Sequence, residues 1–220
     1  MSEADQIVEA IRLLFATDVM SRSGHANASM RMPGPEPRML LTAQGNVRGI
    51  TADQLALVTF DGEAVEGELA PVAREIVAMH AAVYRTRPDV SSVIHTHSPR
   101  VTAFALAHQP LPCVYEALLR FGVTGDIPVA AWAPRGSQES AANIVEQLTA
   151  HPHTPAVLLA NHGLLAFGAH PLGVAQLIIA MEEAAEMTLD AQALGPGAQP
   201  FPTGALERER EHMRRFGSTS

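Results

Sequence analysis

The sequence predicts one α/β domain, and three observations carry that prediction. Hydrophobic residues make up 47% of the 220, enough for one full core in a chain of this length. An amphipathic opening segment gives way to short β-compatible runs joined by turn-rich stretches, which reads as an antiparallel sheet of hairpins and loops. From residue 71 onward apolar strands and helical periodicity alternate, with no internal repeat and no linker between two cores.

Residues 4–19 place Ile7, Ile11, Leu14 and Phe15 at helical spacing, predicting a helix packed on the domain. The stretches ANASMRM, RMLLT and ALVTF between Ser21 and Phe60 predict strands, separated by MPGPEP and AQGNVRG. Residues 71–86 begin with a proline suited to the first helical position and carry Ile76, Met79, Ala82 and Val83 along one face. Arg87-Pro88-Asp89 ends that helix. SSVIHTH follows as a strand, then VTAFALAH as a helix behind it, a strand at IPVAAW and a helix over 136–149. The apolar strand PAVLLA, a turn at Asn161-His162-Gly163, the strand LLAFG and a long helix over 171–194 complete the domain. It spans 1–220, with 196–220, rich in Gly and Pro and then in charge, expected to be a partly mobile tail.

A formal net charge of −8 repels a polyphosphate backbone, so nucleic acid is not an expected partner. The lone Cys113 excludes an internal disulfide framework and a cysteine-rich zinc site, and reads as a small buried hydrophobe. The acidic, amphipathic start lacks the basic and apolar regions of a secretory signal, and no run reaches the roughly 18 apolar residues of a membrane span. A cytoplasmic location without membrane attachment is expected.

Strand side chains alternate faces, so in Ile94-His95-Thr96-His97 both histidines point the same way. Two imidazoles one pleat repeat apart can grip one metal ion, although an isolated His-x-His is a weak signal. His162 interrupts an apolar sheet beside a glycine that permits a tight turn, placing it either as a third ligand or as a histidine satisfied by backbone hydrogen bonds. Three neutral imidazoles leave coordination positions open to substrate, the pattern of a catalytic ion that polarises a carbonyl and holds an enediolate. Proton transfer at carbon then needs a carboxylate, and Glu75 in the first turn of the 71–86 helix is the candidate, against a helix-dipole glutamate in solvent. His25 beside the Asn27 loop reads as incidental, with a substrate contact as the alternative, and His80 as a buried structural residue.

The stretches Ala26–Arg31, Leu41–Gly45, His80–Asp89, His95–His97 and Asn161–Gly163 come in an order that, over residues 5–195, resembles the class II aldolase/adducin family. Ala26-Asn27-Ala28-Ser29-Met30-Arg31 looks like the family's Gly-Asn-Val-Ser-x-Arg, and Leu41-Thr42-Ala43-Gln44-Gly45 like its Thr-Pro-Ser-Gly loop. His80-x-x-x-Tyr84-x-x-Arg87-Pro88-Asp89, His95-Thr96-His97 and Asn161-His162-Gly163 follow in order. The resemblance implies a three-layer α/β fold with a central, predominantly antiparallel sheet flanked by helices. It also implies a homotetramer with active sites at subunit interfaces, and a divalent ion, foremost Zn2+ with Mn2+, Co2+ or Fe2+ as alternatives, on His95, His97 and His162, joined by a helix carboxylate that doubles as acid/base.

Several positions depart from that pattern. Ile76 occupies the family glutamate's register, four residues before His80, and Glu75 sits one residue earlier, turned by about 100° on a helix. The two phosphate-holding serines are missing and Gln44 stands where a small hydroxyl residue is usual, so a substrate without phosphate is expected, with Asn27, Gln44, Gly45, Arg74 and Arg135 as candidate contacts. Arg74 could pair with a substrate carboxylate or sit solvated at the surface. The tyrosine that relatives lend to a neighbouring subunit has Glu116 in its place, with Tyr115 adjacent; both are candidate acids, and Tyr115 could equally pack in the loop after Pro112. The expected function is an aldolase-type carbon–carbon lyase of carbohydrate metabolism acting on a small hydroxy-carbonyl substrate. Decarboxylation of a chelating acid, epimerisation and iron–oxygen chemistry are alternatives, as is a non-catalytic adducin-like binding domain.

Overall fold

The computed structural model describes residues 1–216. Helix α1 (Glu3–Ala16) starts at a capping box in which the Ser2 and Asp5 side chains each accept the other residue's backbone N–H. It is shorter than its apolar period, because Thr17 Oγ1 donates back to the Leu13 carbonyl and Asp18 turns left-handed at φ 57°.

Among the described residues eight strands form one sheet: β1 (Ala26–Met32), β2 (Arg38–Thr42), β3 (Leu55–Thr59), β4 (Ala64–Glu66), β5 (Ser92–Thr96), β6 (Val129–Ala130), β7 (Ala156–Leu159) and β8 (Gly163–Gly168). Their order is β4-β3-β2-β1-β5-β8-β7-β6, every pair antiparallel except β6 with β7. The expected antiparallel, helix-flanked α/β architecture is present. The remaining helices are α2 (Pro71–Thr86), α3 (Pro99–Ala107), α4 (Glu116–Leu119), α5 (Gln138–Ala150), α6 (Pro171–Gln192) and α7 (Ala205–Phe216).

The sheet separates two apolar cores. On one face α1, α3, α4 and α6 pack around Ile7, Ile11, Ile94, Leu164 and Ile178; on the other α2 and α5 cover Met39, Val77, Val93, Val157 and Phe167. The three layers follow from strands apolar on both faces: β5 is buried at every residue. Differences from the sequence reading sit at its edges. IPVAAW shrinks to the two residues of β6 because Ile127 is drawn into a bridge with Leu111 and Trp132 is 60% exposed. The charged segment beyond Gly204, read as tail, contains α7, while β4 and α4 are too short to show a period. Among the described residues no helix is long and apolar enough to cross a membrane.

Candidate metal centre

The alternation of β1 explains the Asn27, Ser29, Arg31 spacing, since all three turn toward α2. Arg31 donates to the carbonyls of Tyr84, Arg87 and Val90 and lies over the Tyr84 ring, tying down the end of α2. Ser29 and Asn27 hold fully buried His80 between them: Ser29 Oγ is 2.6 Å from Nδ1 and Asn27 Oδ1 is 2.5 Å from Nε2. An amide oxygen only accepts, so Nε2 carries the proton and Nδ1 accepts from Ser29, which in turn accepts from Tyr84 at 2.8 Å. Burial lowers the His80 pKa to about 3, keeping the ring neutral as this chain of bonds requires. With its oxygen engaged, Asn27 has its NH2 group left for a ligand.

Beside this relay, β5 and the β7–β8 turn bring His95, His97 and His162 together, each offering one ring nitrogen within 4.8 Å of the others. His97 lies one residue beyond the end of β5, yet keeps the strand's alternation: its Nε2 is 3.0 Å from that of His95. His95 Nδ1 donates to the Leu164 carbonyl at 2.9 Å, which fixes the ring and leaves Nε2 with its lone pair toward the cluster. Burial lowers the pKa of all three, holding His95 well below the ordinary value and His162 at about 4; His162 and His97 depress His95 further, and the Arg135 charge adds to the depression at His97 and His162. Three neutral imidazoles converge on one point, which is the donor set that a borderline divalent ion with bonds of about 2 Å takes.

The glycine of the Asn161-His162-Gly163 turn has a different reason from the one its sequence suggested. Asn161 takes the left-handed position at φ 58°, its side-chain oxygen accepting from His108 Nε2 at 2.7 Å. Gly163 instead permits close approach: a Cβ there would lie 2.5 Å from the Thr96 carbonyl oxygen and 2.8 Å from His97 Cδ2.

These histidines form one side of a cleft open to solvent. Val72, Glu75, Ile76 and Met79, spaced as one helical face, bring α2 to its opposite wall. Asn27, Gly45 and Arg135 also line it. Gln44, Arg74, Tyr115 and Glu116 do not line it in this chain. Gln44 is exposed, Arg74 is exposed off the cleft-facing side of α2, and Tyr115 packs on the core at the start of α4 with Glu116 after it. Ile76 is buried in the wall, and Glu75 lies outside the three-histidine group with its Oε2 2.9 Å from Arg135 Nε. His25, read as incidental, and Ser140, not singled out by its surroundings, both reach the cleft. His25 gave a local signal in its adjacency to Asn27; Ser140 gave none.

The family model described as Class II Aldolase and Adducin N-terminal domain matches residues 5–189. The L-ribulose-5-phosphate 4-epimerase UlaF of Salmonella paratyphi A is 30% identical over 173 residues, covering 75% of this chain and 74% of that protein. A structure of an L-fuculose 1-phosphate aldolase superposes with a TM-score of 0.84 at 26% identity, covering 96% of each chain. The L-fuculose 1-phosphate aldolase from Glaciozyma antarctica PI12 shares the fold at a TM-score of 0.76 and 22% identity, over 96% of this chain and 81% of its own. The chain belongs to the class II aldolase and adducin N-terminal domain family.

Proposed function

We propose that this protein is a divalent-metal-dependent carbon–carbon lyase of the aldolase type, acting on a small hydroxy-carbonyl substrate that carries no phosphate. The observation that carries the proposal is the convergence of three neutral imidazoles at the cleft wall. A bound ion there polarises a carbonyl and holds the negative charge that develops as the carbon–carbon bond breaks. The 220 residues include no lysine, so no lysine amine is available to form a Schiff base with a ketone substrate.

In this proposal Asn27 donates through Nδ2 to a substrate oxygen, oriented by His80. Glu75, across the cleft, takes or returns the substrate proton at its carboxylate. Tyr115 and Glu116 serve as acids only from a second copy, within a homotetramer; light scattering and recovery of activity on mixing His97→Ala with Tyr115→Phe chains test that arrangement. The named relatives are enzymes of phosphosugars. The absence of phosphate is proposed here because, among the described residues, Arg135 is the only arginine lining the cleft, and the side chains nearest Gly45 are Val72 and His25. Arg135 also favours a second reading, decarboxylation of a chelating hydroxy or keto acid. A screen of the metal-loaded chain against phosphorylated sugars, hydroxy-ketones with pyruvate, and hydroxy acids, following aldehyde and carbon dioxide separately, tests both. Turnover of phosphorylated sugars alone would refute the phosphate-free assignment.

A further inference from the structure

We propose that Glu75 and Arg135 form an exchangeable latch for a substrate carboxylate: the incoming carboxylate replaces Glu75 on the Arg135 guanidinium and releases Glu75 into the cleft. This rests on the metal-dependent reading above and narrows its substrate to 2-oxo or 2-hydroxy acids.

Charge balance within the cleft carries the inference. Imidazoles bind an ion as neutral donors, and among the described residues no carboxylate joins the three-histidine group. Buried Ile76 is apolar, and the negative charge of Glu75 is already matched by Arg135 at 2.9 Å. A divalent ion on the histidines therefore leaves the cleft with uncompensated positive charge, which an anionic chelator would neutralise and a neutral hydroxy-ketone would not.

The latch is weak enough to open. Arg135 and Glu75 side chains are 54% and 49% exposed, and pairs in that setting bias an equilibrium by less than about fivefold. Arg135 comes from the loop between β6 and α5, and Gly136 behind it packs so closely on α2 that a Cβ would lie 3.1 Å from Glu75 Cβ. The guanidinium is thus held on the cleft rim, close enough for its charge to act on His97 and His162. Its planar fork suits a carboxylate whose second oxygen-bearing group lies toward the histidines. Displaced from Arg135, Glu75 remains on the helical face that looks into the cleft.

The test is titration of the Co2+-loaded full chain with oxalate, a planar anionic chelator, and with hydroxyacetone, a neutral one, read by the visible cobalt bands and by calorimetry. Arg135→Ala is expected to weaken oxalate by about 10- to 100-fold, the range for a hydrogen bond to a charged group. Glu75→Gln is expected to tighten oxalate by about two- to fivefold, and to have no further effect in the Arg135→Ala background. Hydroxyacetone affinity should change less than about twofold in either variant, as for a ligand that uses neither charge. Arg135→Lys, which keeps the charge but not the fork, should fall between wild type and Arg135→Ala. Failure of the wild-type chain to take up Co2+ would sink the metal reading and the latch with it. Normal Co2+ uptake with unchanged oxalate affinity in Arg135→Ala, or a Glu75→Gln gain that persists without Arg135, would overturn the latch alone.

Discussion

Replacing Gly163 by alanine should damage the histidine cluster without touching a ligand. Its backbone is not in the left-handed region, so the effect is purely steric. The added methyl would sit 2.5 Å from the Thr96 carbonyl oxygen, about 0.9 Å short of the 3.4 Å at which ordinary contact begins, and 2.8 Å from His97 Cδ2. The first of these is backbone on the neighbouring strand and cannot rotate away, so β8 must part from β5 at the point where Thr96 pairs with Leu164. Overpacking of this kind costs about 1–3 kcal/mol. Because the same movement displaces the His97 ring and the His95 tether on Leu164, Co2+ affinity should fall by about 10- to 100-fold. Urea unfolding and Co2+ titration of Gly163→Ala measure the two effects together. Gly173→Ala is the control, because that position is exposed near the start of α6 with nothing within 4 Å, and should stabilise by at most about 0.5–1 kcal/mol. A Gly163→Ala chain that unfolds within about 0.5 kcal/mol of wild type and binds Co2+ equally well would refute the close-approach argument.

Acidification should destabilise the fold through His80. Its folded pKa of about 3 lies below the ordinary 6.5, so only the unfolded chain takes up this proton in between; stability is full above pH 6.5 and drains away toward pH 3. At pH 5 the loss is about 2 kcal/mol, and urea unfolding of metal-free protein at pH 7 and 5 should show that much less pH dependence in His80→Phe. Metal at a hundredfold excess over its Kd should raise stability by about 2.7 kcal/mol, a gain that a chelator reverses and that His97→Ala never shows in thermal unfolding. Glu182 is 8% exposed on α6, and its carboxylate accepts from Arg100 N at 2.7 Å and Val101 N at 2.9 Å, capping α3 just after His97. Glu182→Gln keeps one acceptor and sets an NH2 against an N–H, so it should cost about 1–3 kcal/mol by denaturant unfolding at pH 7; no measurable change would show that the α3 start finds other partners.

What the sequence made legible follows from how local each signal is. His95 and His97 were readable because strand alternation is a two-residue rule, and it persists to His97 although pairing stops at Thr96. His162 joins them through the antiparallel pairing of β5 with β8, sixty-odd residues apart, which no local pattern encodes; the shared motif order supplied that link. Long, periodic helices were visible, whereas two-residue β6 and four-residue α4 owe their form to neighbours. The α2 face shows where local reasoning and the site part company. Counting back from His80 puts Ile76 in the glutamate's register, which suggested that Glu75 would be turned away. Yet Val72, Glu75, Ile76 and Met79 share a face broad enough for both side chains to line the cleft, Ile76 buried in the wall and Glu75 half exposed. The one-residue offset therefore leaves the carboxylate in the cleft but moves it from the histidines to Arg135. An arginine on the loop after β6, outside the helix altogether, holds the Glu75 carboxylate, and for that reason variants at Arg135 should discriminate between mechanisms better than variants at Glu75 itself.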